Sequence, residues 1–270
     1  MNRMDGKICV VSGATQGLGA AIARRLAAAG AGAIVITGRN AARGNAVAAD
    51  IRARHRIEAQ FIAADLGSPD DAVHVFEEVD RLFGKVHVLV NAGANTERGT
   101  ILDTTPELFD RQFAINVRGP YFLMQNAIRM MIRDGIEGAI CNIGSISALA
   151  GQPFISAYCA SKGALATLTA NTAFAVMGNR IRVNQLNVGW MASDNEKALQ
   201  AASDPDWEAK AAASLPFGRL VDPDEAARAV NFLVSGDAGL MTGAIVNFDQ
   251  SVWGAFAAAA PVPAGPMTLG

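Results

Sequence analysis

A phenol and an ammonium four residues apart, in Tyr158-Cys159-Ala160-Ser161-Lys162, are the first groups in this chain whose types and spacing suggest a reaction. On a helix, positions i and i+4 share a face. An ammonium held beside a phenol favours the phenolate and draws its pKa down from about 10 toward the working range of a general acid/base. The chain has only two tyrosines, so a chance match is uncommon. A tyrosine tucked into the core with a lysine snorkelling past it is the alternative. A second cluster, Ser12-Gly13-Ala14-Thr15-Gln16-Gly17-Leu18-Gly19, spaces its glycines as G-x-x-x-G-x-G. Glycine permits positive φ and lets backbone amides close on a pyrophosphate at a helix N-terminus, where the dipole favours negative charge. A tight turn without ligand is the bland reading of the same residues. His55, His74 and His87 are scattered without ligand spacing, so no catalytic metal is expected.

These groups need elements to position them. Short β-branched runs alternate with longer Ala/Leu stretches, the pattern of βαβ units on a parallel sheet. Strands are predicted over 7–11, 33–37, 59–64, 86–90, 138–143, 181–186 and 244–248. The glycine cluster therefore joins the first strand to a helix whose Leu18, Ile22 and Leu26 form one apolar stripe and which Gly30 can end. Ser68-Pro69-Asp70-Asp71 and Asp222-Pro223-Asp224-Glu225 each read as a capped helix start, with proline in the first turn and acids at the positive dipole end. Gly84 closes the first of these helices. The expected fold class is α/β, a doubly wound seven-stranded parallel sheet with helices on both faces, in three layers. One domain is expected over 1–256. The proline-bearing stretch 257–270 follows, as a flexible tail or an arm laid on a neighbouring subunit.

Composition narrows the function. With 270 residues, 51% of them hydrophobic and 18% charged, the chain can bury a large core. Its 23 basic and 25 acidic residues leave a net charge of −2, which provides no broad basic field for nucleic acid or an anionic membrane. Cys9, Cys141 and Cys159 form neither a disulfide framework nor a C-x-x-C site, so a reducing cytoplasm is expected. The apolar run at 8–11 is too short for a signal-peptide core, and no stretch approaches the ~18 apolar residues of a membrane span.

In order along the chain, Gly13, Gly17 and Gly19, then Asn91-Ala92-Gly93, Asn116, Ser145, Tyr158 and Lys162 resemble the short-chain dehydrogenase/reductase family, over about 7–249. The resemblance implies a Rossmann-fold, NAD(P)(H)-dependent oxidoreductase acting on CH–OH groups. It implies that Ser145 hydrogen-bonds the substrate oxygen, that Tyr158 passes the proton, and that Lys162 holds the nicotinamide ribose and lowers the tyrosine pKa. Asn116 would anchor a water of the proton relay. Gly13, Thr15, Gln16, Gly17, Leu18 and Gly19 would cradle the dinucleotide, Asp65 and Leu66 would meet its adenine side, and Asn91, Ala92 and Gly93 would floor its pocket. Where the family usually has Pro-Gly and, four positions on, Thr, this chain has Val188-Gly189 and Ser193, whose hydroxyl would reach the carboxamide. Val90 replaces the first Asn of the usual Asn-Asn-Ala-Gly. The family also implies a homotetramer. Leu165, Leu168, Ala173 and Val176, following Tyr158 on its helix, would pair across a two-fold axis or pack on their own sheet.

Cofactor choice falls to Thr37-Gly38-Arg39-Asn40, after the second strand. An acidic side chain there would take the ribose hydroxyls and repel a 2′-phosphate. Gly38 and Arg39 instead offer a guanidinium fork for that phosphate, so NADP(H) is expected over NAD(H), with Arg39 as a solvated loop cation the alternative. Gln16 stands where many NADP-preferring relatives carry a second basic residue. The substrate cleft above the strand ends is expected to be lined by Asn95, Ser147, Gln152, Asn187 and Trp190, a polar set suited to a sugar, polyol or related ketone. The segment 192–214 would form a helical lid. Two other readings share the motifs. One is a 3-oxoacyl-[acyl-carrier-protein] reductase, with Arg98, Arg118, Arg129 and Arg133 meeting the carrier. The other is a dinucleotide-sensing regulator, which would need none of the proton relay.

Overall fold

The computed structural model describes residues 3–252 except Ala150 and Ser203, so the expected tail lies outside the described residues. All seven expected strands form: β1 (Ile8–Ser12), β2 (Ala33–Gly38), β3 (Glu58–Ala63), β4 (Val88–Asn91), β5 (Ala139–Ser145), β6 (Arg182–Val188) and β7 (Ile245–Phe248). They make one parallel sheet in the order β3-β2-β1-β4-β5-β6-β7. The strand order reverses between β1 and β4, which opens a crevice at the C-terminal strand ends. Continuous apolar runs such as Ile8 to Val11 suit strands covered on both faces, and β1, β2, β4 and β5 are buried along their whole length.

Several strands run further than hydrophobicity alone predicts. β1 continues through Ser12, β4 through Asn91, β5 through Ser145 and β6 through Val188. Polar residues mark those ends, and a scan for apolar residues stops at them. The backbone ladder does not stop, because Ser12 pairs with Asn91, Asn91 with Asn142 and Asn142 with Gln185.

The helices are α1 (Gly17–Ala28), α2 (Ala41–His55), α3 (Pro69–Phe83), α4 (Pro106–Phe113), α5 (Gly119–Arg133), α6 (Ser156–Val176), α7 (Asp194–Ala201), α8 (Trp207–Ala213) and α9 (Pro223–Val234). One core lies between the sheet and α1, α2 and α9; a second lies between the opposite face and α3, α5 and α6. The caps form as their sequences predict. Ser68 Oγ accepts from the Asp71 amide at 3.2 Å, and Asp222 Oδ1 accepts from the Asp224 and Glu225 amides at 2.6 and 3.3 Å. Gly84 ends α3 in the left-handed region at φ +66°. The two options for the α6 stripe resolve toward the sheet: Leu165, Ala173 and Val176 are buried and Leu168 packs behind them. The apolar residue that α6 leaves outward is Phe174, 77% exposed. Among the described residues no helix is long and apolar enough to cross a membrane.

Candidate active site

The turn after β1 carries Gly13 at φ +67°, and a Cβ there would fall 2.3 Å from the Cα of Gly93. The glycine thus brings the ends of β1 and β4 into backbone contact, and the Leu66 side chain packs on Gly93 as well. Ala92 lies beside it, its amide donating to Ser12 O at 3.2 Å. Helix α1 then begins at Gln16 with no capping side chain, unlike α2, α3, α4 and α9. A helix start left open beside a close-packed glycine turn fits an anionic dinucleotide group. A cleft of about 440 Å³ opens here between Thr15, Gln16, Gly17, Arg24, Arg43 and Ala198. Leu18 and the buried Gly19 form the next turn of α1 beneath it.

At the rim, Arg39 is exposed, and among the described residues no carboxylate pairs with it. Arg43 of α2 donates to the Gln16 side chain across the cleft mouth, a second cation that the sequence did not single out. Its partner lies 27 positions away, and helical spacing gives no sign of it. Asp65 follows β3 with an exposed carboxylate that accepts the Gly67 amide at 2.9 Å.

The second half of the site gathers at the end of β5. Ser145 closes that strand, and α6 carries Tyr158 and Lys162 past it. The Lys162 ammonium is 2% exposed, donates to Ile143 O at 2.8 Å and lies 5.6 Å from the centre of the Tyr158 ring. Burial pushes the Tyr158 phenol up to about 12, against the opposing pull of its hydrogen bond with Ser145, and pushes Lys162 down to about 8. Burial thus opposes the lowering of the tyrosine pKa that the resemblance implies. Desolvation is the largest influence on each of the two groups, because the charged form of each loses more by leaving water.

Asn116 lies on a π-helical turn, Ala114–Arg118, between α4 and α5. Such turns recur at functional sites because they re-aim one side chain without ending the helix. Its Oδ1 accepts from the Asn95 amide at 2.7 Å, and its Nδ2 donates to Asn95 O and to Ser161 Oγ, both at 3.0 Å. Ser161 donates in turn to Tyr158 O at 2.7 Å. Ser161 thereby joins the asparagine to the tyrosine's own helix, a role that sequence reasoning missed although the residue sits inside the Tyr-x-x-x-Lys motif.

The five expected substrate-lining residues divide. Asn95 serves Asn116 through its backbone, while its Oδ1 accepts the Glu97 amide at 2.8 Å. Ser147 is 6% exposed and braces Ser145: its amide donates to Ser145 Oγ at 3.1 Å and its hydroxyl to Gln152 Oε1 at 2.7 Å. Asn187 is fully buried, its amide shared between Gln185 and Asn247. The structure therefore corrects Ser147 and Asn187 from cleft wall to supporting framework. Their neighbours in the fold consume the polar groups that sequence order left free. Trp190 keeps an open face at 40% exposure, with Nε1 donating to Glu196 of α7 at 2.9 Å and its ring 6.1 Å from that of Trp207.

The segment after Gly189 forms α7 and α8, as its composition predicts. Ser193 caps α7 by accepting the Glu196 amide at 3.3 Å, and a Cβ at Gly17 would lie 3.9 Å from its own Cβ. The start of α7 thus sits directly over the glycine turn. Of the four arginines considered for a carrier protein, Arg133 is misplaced: it pairs with Asp80 and Asp134 and donates to Gly84 O, at the opposite end of α5 from the site. Arg118 donates to Gly67 O at 2.6 Å, and Arg98 lies over the Phe154 ring. Among the described residues no three His, Cys, Asp or Glu side chains gather as metal ligands would.

Comparison with known proteins bears on this geometry. A family model described as enoyl-(acyl carrier protein) reductase matches residues 13–251. Galactitol 2-dehydrogenase from Agrobacterium fabrum is 31% identical over 259 residues, covering 93% of this chain and 99% of its own length. The structure of NAD⁺-bound xylitol dehydrogenase superposes with a TM-score of 0.85 at 30% identity, covering 92% of this chain and 99% of that one. L-sorbose reductase from Gluconobacter frateurii, complexed with NADPH and L-sorbose, superposes with a TM-score of 0.89 at 26% identity, covering 94% and 99%.

Proposed function

The chain belongs to the short-chain dehydrogenase/reductase family of Rossmann-fold, NAD(P)-dependent oxidoreductases, and within it we propose an NADP(H)-dependent enzyme that interconverts a secondary alcohol and a ketone on a small polyhydroxylated substrate. One observation carries the reading: Ser145, Tyr158 and Lys162 converge at the end of β5, with Asn116 behind them, beside the glycine turn. The nicotinamide supplies or accepts the hydride when bound. Ser145 orients the substrate oxygen, and Tyr158 gives it a proton in reduction or takes one in oxidation. With the phenol held up to about 12 and Lys162 down to about 8, both groups are protonated below about pH 8. Reduction consumes a proton, so it is expected to gain on oxidation as pH falls.

The preference for NADP(H) rests on Arg39, exposed after the end of β2 with no carboxylate partner among the described residues, with Arg43 across the cleft mouth and no carboxylate at Gly38 to repel a 2′-phosphate. Measuring kcat/KM for NADP⁺ and NAD⁺ in the wild type and in Arg39→Ala tests it. The NADP⁺/NAD⁺ ratio is expected to fall about tenfold, the size of one charge-assisted hydrogen bond; an unchanged ratio rejects the assignment. Relatives named for galactitol, xylitol and L-sorbose support a polyol or keto-sugar. The acyl-thioester reading is supported by the matching family model and by similarity to 3-oxoacyl-[acyl-carrier-protein] reductases. Following reduced-nicotinamide absorbance with keto-sugars, polyols and 3-oxoacyl thioesters separates the two, and no turnover on any of them would favour the dinucleotide sensor.

A further inference from the structure

Beneath the candidate site, one row of side chains crosses the sheet. Ser12 of β1, Asn91 of β4, Asn142 of β5 and Gln185 of β6 are register partners in turn, so four neighbouring strands present a polar side chain at the same level. None of the four is more than 3% exposed. A buried amide without partners costs about 1–3 kcal/mol, so a row of this kind persists only if its groups satisfy one another.

They do so in one continuous path. Ser12 Oγ donates to Asn91 Oδ1 at 3.5 Å, Asn91 Nδ2 to Asn142 Oδ1 at 2.9 Å, and Asn142 Nδ2 to Thr169 Oγ1 of α6 at 2.9 Å. Thr169 Oγ1 lies 3.0 Å from Gln185 Oε1. Gln185 Nε2 donates to Asn187 Oδ1 at 2.7 Å, and Asn187 Nδ2 to Asn247 Oδ1 of β7 at 3.1 Å. The amide steps all donate from β1 toward β7, and at Thr169 the single hydroxyl proton is shared between Gln185 Oε1 and Leu165 O, which lies 2.8 Å away. Hydrogen bonds aligned in this way polarise and strengthen one another. The space is reserved for them: a Cβ on Gly144 would fall 2.1 Å from Asn187 Oδ1 and 2.3 Å from Gln185 Nε2.

The row lies just below the strand ends that carry the site. Ser12 precedes Gly13, Asn91 precedes Ala92-Gly93, Asn142 is three residues before Ser145, and Asn187 is two before Gly189. Thr169 is on the same helix as Tyr158 and Lys162. We propose that Asn142, Thr169 and Gln185 are positioning residues, whose side-chain hydrogen bonds hold the ends of β4, β5 and β6 and the helix α6 at fixed heights relative to one another. The floor of the cofactor pocket, Ser145 and Tyr158 are thereby set in one frame. The inference rests on the oxidoreductase reading for its catalytic consequence, and on the geometry alone for its mechanical one.

Thr169→Val keeps the shape and removes the hydroxyl at the middle of the path; Thr169→Ser restores it. Asn247→Ala, at the exposed end, is a milder break that leaves the core intact. With NADPH and the fastest ketone of the screen above, Thr169→Val is expected to lose about tenfold in kcat while KM for NADPH and NADPH binding stay within about twofold, since misplacement of reacting groups by a fraction of an ångström costs rate before it costs binding. Thr169→Ser should recover most of the loss. Amide hydrogen exchange, which needs no substrate, should quicken in Thr169→Val at residues 88–93, 139–145 and 182–188, and in Asn247→Ala at 182–188 alone, with β2 unchanged. Wild-type exchange at those strand ends in Thr169→Val would overturn the proposal, as would a kcat loss that serine does not recover. If the wild type turns over no ketone, the functional reading fails and the exchange measurement still decides whether the path positions the strands.

Discussion

Helices α6 and α9 cover opposite faces of the same sheet, and α6 buries far more polar surface than α9. Facing inward, α9 presents Ala226, Ala227, Val230, Leu233 and Val234 with a single buried polar residue, Asn231, and it starts from the Asp222 cap. On α6, Ser161, Lys162 and Thr169 are buried among Leu165, Ala173 and Val176, and no side chain caps the helix start at Ile155. The first arrangement stabilises the fold by removing apolar area from water. The second carries desolvation costs that the fold must offset elsewhere, which is the usual condition of a helix that holds a reactive group. Stability and chemistry are thus divided between the two faces, and mutations on each should fail in different ways.

The largest expected effect is on α6. Tyr158→Phe should lower turnover by roughly 10²–10⁴-fold, the size of general acid/base catalysis, with the melting temperature nearly unchanged. Substantial residual activity would break the contrast at its centre. Next is Leu233→Ala on α9, expected to cost about 3 kcal/mol in chemical denaturation while the activity of each folded molecule stays at the wild-type level. A loss of specific activity would show that α9 also shapes the site.

Lys162→Met tests the other side of the contrast. Burial lowers the Lys162 pKa from 10.5 to about 8, so the unfolded chain binds this proton more tightly than the folded one. The cost of burying the ammonium is full below about pH 8 and shrinks as pH rises toward 10.5. The methionine variant should be inactive yet more stable than wild type at pH 7 by roughly 2–3 kcal/mol, with the advantage fading between pH 8 and 10.5. A variant that is less stable at pH 7 would mean that the bond to Ile143 O outweighs desolvation. The smallest effect is at the cap: Asp222→Ala should cost about 1 kcal/mol in stability and leave catalysis alone.

The features legible in the sequence are those whose partners lie within a turn. Ser68 bonds the amide three residues on, and Asp222 the amides two and three on, so both caps could be read from four consecutive letters. The strand ends were less legible. Hydrophobic patterning stops short of Ser12 and Asn91, whereas their burial depends on each other across 79 positions. Ser161 was overlooked for the same reason, because Asn116, which gives it a role, is 45 positions distant.

The sequence by itself determined the alternation of strands and helices, the glycine turn and the order of Asn116, Ser145, Tyr158 and Lys162, because periodicity, backbone freedom and side-chain type are local properties. Tertiary structure alone decided which polar groups lose contact with water. It moved Ser147 and Asn187 from the cleft wall into the framework, turned the α6 stripe toward the sheet and set Tyr158 and Lys162 at pKa values dominated by burial. Desolvation is a property of the space around a group, and that space is filled by residues from every part of the chain.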